Sequence, residues 1–208
     1  MALVKYNNNS ISAVTSAASI PSGAMTLIKT LTASSSATLS FVDGSDGVVL
    51  DSTYPIYKFE FINIHAGTDD VLFTFQTDTG TNTNYNQTVT TTFFSARHGE
   101  SDSPAALGYE TGRDQAQGTA FQNLNYDTGT NNDDNICGTL QLFNPSSDTF
   151  VKHFISRSID NGRAGGAAQD NYVAGYFNTT TALTRVQFKF NSGNIDSGKI
   201  KLYGIKDS

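Results

Sequence analysis

Paired carboxylates are the most serviceable chemistry in this sequence, because two Asp or Glu side chains flanking a glycosidic bond supply the acid and the base or nucleophile that cleave it. Glu60, Glu100 and Glu110 are the only Glu residues. Glu60 alternates with aromatic residues and is expected to face outward from a strand, while Asp partners can converge from distant strands. Glycan cleavage is therefore carried as an alternative. Ser is abundant, but no G-x-S-x-G elbow and no His beside an acid in a motif accompany it. His65, after a strand, and His153, near Phe150 and Phe154, read as turn or sheet-surface residues. Asp43-Gly44-Ser45-Asp46-Gly47 and Asn131-Asn132-Asp133-Asp134-Asn135 hold oxygen ligands of the kind Ca²⁺ takes, yet neither follows the twelve-residue calcium loop. Asp, Asn and Gly are also the ordinary residues of tight turns. The lone Cys137, in a strand-like run, is expected to be a buried, inert thiol. No catalytic, cofactor-binding or metal-binding residue is assigned, and the chain is read as non-enzymatic with no cofactor.

Arg97-His98-Gly99-Glu100-Ser101 resembles the phosphate-pocket signature of the histidine phosphatase and phosphoglycerate mutase family. The resemblance implies a phosphorylated His and a phosphate-binding Arg, together with a second His and further Arg on an α/β scaffold. Here the motif lies in mid-chain before a polar stretch, and no helices are expected, so the context that gives the motif its meaning is missing.

The elements that must position these residues are strands. Tyr57, Phe59 and Phe61 fall on one face of 57–64 and Lys58 and Glu60 on the other, the period of two of a half-buried strand. Val71, Phe73 and Phe75 repeat the pattern, as do Leu140 with Leu142, Phe150 with Phe154, Val186 with Phe188 and Phe190, and Ile200 with Leu202. Asp43-Gly44, Asp46-Gly47, Asn144-Pro145, Asn161-Gly162, Ser192-Gly193 and Ser197-Gly198 are expected turns. Roughly eight to ten strands without helical periodicity predict an all-β, antiparallel β-sandwich, jelly-roll-like, over residues 24–208. A long inserted loop is expected at about 97–135 and a shorter one at 160–171, as the places for recognition. Tyr85, Tyr109, Tyr126 and Tyr172 are candidates to stack on sugar rings or bury into a partner, beside the plainer reading that they anchor the loops to the body. Residues 1–23, with scattered apolar side chains, are expected to form an N-terminal attachment arm.

At 208 residues with 14 Phe and 9 Tyr, one sizeable core is expected. Charged residues are 15% of the chain against about 25% in an average domain, and the net charge is −6. With no Lys/Arg cluster, nucleic acid and membrane surfaces are disfavoured as partners. One cysteine permits no intrachain disulfide. No secretory signal or spanning run is evident, so synthesis as a soluble cytoplasmic product is expected.

The strand pair 56–64 with Gly67-Thr68-Asp69-Asp70, the segment Gly138-Thr139-Leu140-Gln141-Leu142-Phe143-Asn144-Pro145, and the closing run resemble virion structural and tail-fibre-like proteins of tailed bacteriophages. The closing pattern is F-x-S-G-x-I-x-S-G-x-I-x-L-Y-G, from Phe190 to Gly204. The similarity runs from about Tyr54 to Lys206. It implies a jelly-roll-like virion component and supplies no site residues. Expected partners are other virion proteins and further copies of the chain, a trimer foremost, with host surface glycan as an additional ligand. Tail fibre or baseplate is the leading location and capsid decoration the alternative. A glycan depolymerase and a stand-alone carbohydrate-binding module remain the other two classes.

Overall fold

The computed structural model describes residues 24–162 and 166–207, so the expected arm at 1–23 lies outside the described residues. The described chain is all β, in twelve strands. They are β1 (Met25–Thr32), β2 (Leu39–Val42), β3 (Ile56–Ala66), β4 (Phe73–Thr79), β5 (Val89–Gly99), β6 (Ala105–Tyr109), β7 (Gln122–Asn123), β8 (Asn135–Phe143), β9 (Lys152–Asp160), β10 (Ala167–Phe177), β11 (Leu183–Phe190) and β12 (Ile195–Ile205).

They form an eight-stranded sheet in the order β1-β12-β3-β8-β9-β10-β5-β6 and a four-stranded sheet in the order β2-β11-β4-β7. Every pairing is antiparallel. The pairs β1–β12, β2–β11, β3–β8, β4–β7 and β5–β6 nest one inside the next and alternate between the sheets, the winding of a jelly roll. The β9–β10 hairpin is inserted outside this nest, and with β5 and β6 it widens the large sheet beyond the span of the small one.

The core between the sheets is aromatic. Tyr57, Phe59 and Phe61 of β3 are buried with Phe41, Phe73, Phe75, Val186 and Phe188, as the alternation in 57–64 requires. Where the small sheet ends, residues 110–128 cover the inner face of the extension. Their irregular backbone needs partners. Thr91 N donates to Gln115 O at 2.9 Å and Ser158 Oγ to Leu124 O at 2.6 Å, while on the other side Leu124 N donates to Phe73 O at 2.8 Å. The inner face there is accordingly polar, with Thr91, Ser95, Ser156, Ser158, Asp160, Gln169 and Asn171 all buried.

Several expectations are revised. The stretch 97–135 contains the end of β5, all of β6 and β7 and the start of β8, and β10 already begins at Ala167 inside the expected loop 160–171. Polar composition hid these strands because the surface they cover is itself polar. Phe150 is 69% exposed and precedes β9, so it does not share the core with Phe154. Ser197-Gly198 is a bulge within β12, where the register against β3 shifts on both sides of Ser197. Val71 is buried, but in an isolated bridge to Thr128 ahead of β4. Cys137 is half-buried on the outer face of β8, since Ile136, Leu140 and Leu142 hold the inward positions. Its thiol lies 3.4 Å from Asn63 Oδ1.

Candidate functional site

Strand alternation separates the residues singled out for chemistry. Arg97 faces inward on β5, where its guanidinium lies 4.1 Å over the Tyr126 ring and 4.0 Å from Glu110. His98 faces outward and sits 3.2 Å from Asp102. The two cannot serve one phosphate. Glu60 is on the outer face of β3 beside Lys58 at 2.8 Å, whereas Glu110 accepts from the inward Ser95 hydroxyl at 2.8 Å, so a sheet lies between these carboxylates. Glu100 follows β5, its N–H donating to Gly166 O at 2.7 Å. His65 Nε2 meets Asn131 O at 3.0 Å, and His153 lies on the outer face of β9 with its ring 5.9 Å from that of Tyr176. Asp43 accepts from Leu50 N at 2.8 Å, and Asp134 Oδ2 from Asn131 Nδ2 at 2.9 Å, the local bonding of turns. Among the described residues, no three His, Cys, Asp or Glu side chains converge as a metal set.

What the fold assembles instead is a surface. In β9, Lys152, Phe154, Ser156, Ser158 and Asp160 point inward and are buried, while His153, Ile155, Arg157 and Ile159 point outward and are exposed. Much of the usual polarity is inverted, with Ser and Asp inside and Ile outside. On β10, Gln169 and Asn171 are inward and Tyr172 and Tyr176 outward. Register aligns these positions across the sheet. Thr139 of β8, Arg157 of β9, Tyr172 of β10, Phe94 of β5 and Tyr109 of β6 are direct neighbours in one rung. Cys137, Ile159, Asp170, Ala96 and Leu107 form the next, and Gln141, Ile155, Ala174 and Thr92 the one on the other side.

Within the central rung, the Phe94 and Tyr172 rings stack with centroids 4.7 Å apart and planes within 5°. Arg157 lies 4.9 Å from the Tyr172 centroid and grips Asp170 with two bonds, Nε to Oδ1 at 2.9 Å and a terminal nitrogen to Oδ2 at 2.6 Å. Those bonds hold the Asp170 carboxyl below its ordinary pKa and the guanidinium above its own. The pair neutralises itself, leaving the surface without net charge. A groove of about 320 Å³ runs between the rungs, lined by Phe94, Ile155, Arg157, Tyr172, Thr92 and Ala174. Ile155 and Ile159 are 49% and 53% exposed and Leu107 75%. Exposed aliphatic side chains gathered in this way mark interaction surfaces.

Of the four tyrosines weighed for stacking on sugars or for anchoring loops, three pack against the protein's own body. Tyr85 is buried, Arg97 and Arg113 both lie over Tyr126, and Tyr172 is held between Phe94 and Arg157. Tyr109 remains half exposed on the edge strand, its hydroxyl bonded to Asp114. Sequence reasoning missed Ile155 and Ile159. The alternation in 152–160 signals two faces there, but polarity alone assigns the isoleucines to the interior.

The fold defines the class: a jelly-roll β-sandwich with one widened sheet. Compared with protein-family models, curated proteins and solved structures, the chain matches none.

Proposed function

We propose that this chain is a non-catalytic structural protein of a tailed-bacteriophage virion, acting as a homo-oligomer, a trimer foremost, in a tail fibre or baseplate. The closing pattern from Phe190 to Gly204 supports the virion assignment, and the inverted polarity of the β9–β10 hairpin supports assembly. That inversion is the observation that carries the reading. Burying Ser and Asp while exposing Ile is unfavourable for an isolated domain unless the outer face becomes an interior on association. The occupant that fits is a second copy. The whole chain carries −6, but this patch is neutral through the Arg157–Asp170 pair, so copies meet there without like-charge repulsion. Three copies of one patch can also close on a three-fold axis. Covered tyrosine faces favour a protein partner over a sugar.

Light scattering on the purified full-length chain and on Ile155→Arg tests this. The expected result is a stable oligomer for the parent and a monomer with an unchanged melting temperature for the variant. A monomeric parent, or a variant that assembles normally, overturns the assembly reading. New reducing ends released from host polysaccharide overturn the non-catalytic reading. Antibody labelling of capsids instead of tails in electron micrographs moves the protein to the decoration class.

A further inference from the structure

Among the described residues four strands have an open side: β1 and β6 at the margins of the large sheet, β2 and β7 at those of the small one. An open strand offers unpaired N–H and C=O groups to any extended chain, and natural edges are blunted by brevity, charge, proline or a bulge. β2 has four residues and β7 two, so that two residues and one turn their backbone groups outward. β1 carries Lys29 at a shift of its register against β12. β6 has none of these devices. Its residues Ala105-Ala106-Leu107-Gly108-Tyr109 are uncharged, free of proline, all exposed, and paired to β5 without a shift of register.

The ladder between β5 and β6 fixes which groups are free. Gly99 N donates to Pro104 O at 2.7 Å and Glu110 N to Phe93 O at 2.9 Å. Hydrogen-bonded pairs alternate along an antiparallel ladder, so Ala106 and Gly108 turn their backbone groups to β5, and Ala105, Leu107 and Tyr109 turn theirs to the open side. There they meet no partner among the described residues. The side chains of these three residues share the outer face with Phe94 and Ala96, and Leu107 is the most exposed of the large apolar side chains described, at 75%.

We propose that β6 pairs with β6 of a second copy, antiparallel about a two-fold axis at Leu107. Three free residues spaced evenly about a central one are self-complementary. Leu107 lies opposite the partner's Leu107, and Ala105 opposite the partner's Tyr109, each pair exchanging two N–H···O=C bonds. The two leucines cover each other, and each tyrosine lies beside an alanine. Because the strand is uncharged, the −6 of the chain is not set against itself at the axis. Such a contact uses the same edge on both copies and leaves none to propagate.

The pairing rests on the proposed assembly. Backbone bonds exchanged with water gain little individually, and one short edge does not outweigh the freedom that two single copies lose. Oligomers joined through the groove present several edges at once, and after the first pair the others close within one complex. A two-fold normal to the sheet is perpendicular to a three-fold axis that the groove faces, so two trimers combine in one closed particle of six copies.

The test follows the full-length chain by light scattering over a range of concentrations and by amide hydrogen exchange over residues 104–110. Expected is a parent of twice the mass of Leu107→Pro, with exchange in this segment slowed about tenfold or more in the parent. Proline at 107 removes an N–H that bonds to nothing within its own copy, so the β-sheet circular dichroism is expected to persist. Should that variant misfold, Leu107→Lys keeps the backbone and sets two like charges on the axis, with the same halving of mass expected. Equal masses for the parent and a folded variant overturn the edge pairing and leave the groove contact standing. A monomeric parent overturns both. Slow exchange that is lost on removing residues 1–23, at unchanged mass, gives the edge to the arm and overturns the pairing.

Discussion

Phe188 meets the rings of Phe41, Phe59, Phe61, Phe73 and Phe75 at centroid separations between 5.2 and 6.3 Å, so one side chain ties both sheets together. Phe188→Ala is expected to cost about 3–5 kcal/mol, the range for a large aromatic lost from a packed core. Phe150→Ala, at an exposed position, should stay within about 0.5 kcal/mol of the parent. Urea unfolding of both variants checks the contrast. The same pair shows what alternation can and cannot say. Spacing places Phe150 and Phe154 on one face if the strand extends through both, but the strand starts at Lys152, and an even spacing has no force outside it. Arg97 and His98 show the converse. Adjacent positions in a strand oppose each other, so a motif that is compact in sequence is split by a sheet in space.

Among the elements, β12 carries a device that the sequence presents as a turn. Gly198 sits at φ +114°, and a Cβ there would lie 2.4 Å from Asn63 O on β3, so the bulge accepts only glycine. Gly198→Ala should destabilise by about 1–3 kcal/mol through strain and this contact. Gly108→Ala, where an added Cβ meets nothing within 4 Å, should melt with the parent. Thermal unfolding followed by circular dichroism distinguishes them. Strands with aromatic inner faces, such as 57–64 and 186–190, are legible from sequence because hydrophobicity and burial coincide there. The β9–β10 hairpin is not. Its inward Ser, Asp, Gln and Asn bond to the covering segment and to one another, and its outward Ile and Tyr make the groove. Where the interior is polar, hydropathy points the wrong way, and the groove goes unseen.

For the whole molecule, the first described strand begins at Met25, after the expected arm. Removing residues 1–23 is therefore expected to leave a folded sandwich, with its β-sheet circular dichroism and cooperative melting retained, while abolishing incorporation into particles. Complementation with the truncated protein and electrophoresis of the purified particles checks this, and normal incorporation refutes the arm's role. A jelly-roll-like winding is expected from the sequence, but not which strands pair in it, since β1 and β12 lie far apart in the chain and nothing in either strand names the other. That outermost pair sets Met25 opposite Ile205, and Lys206 N donates to Ala24 O at 2.9 Å. Both ends of the described chain thus leave from one margin of the large sheet, and β6 forms the opposite margin, seven strand spacings or roughly 34 Å away. A tether at either end holds the molecule as a pole holds a flag, and the aromatic rung running out to Tyr109 lies at the free end of the cloth.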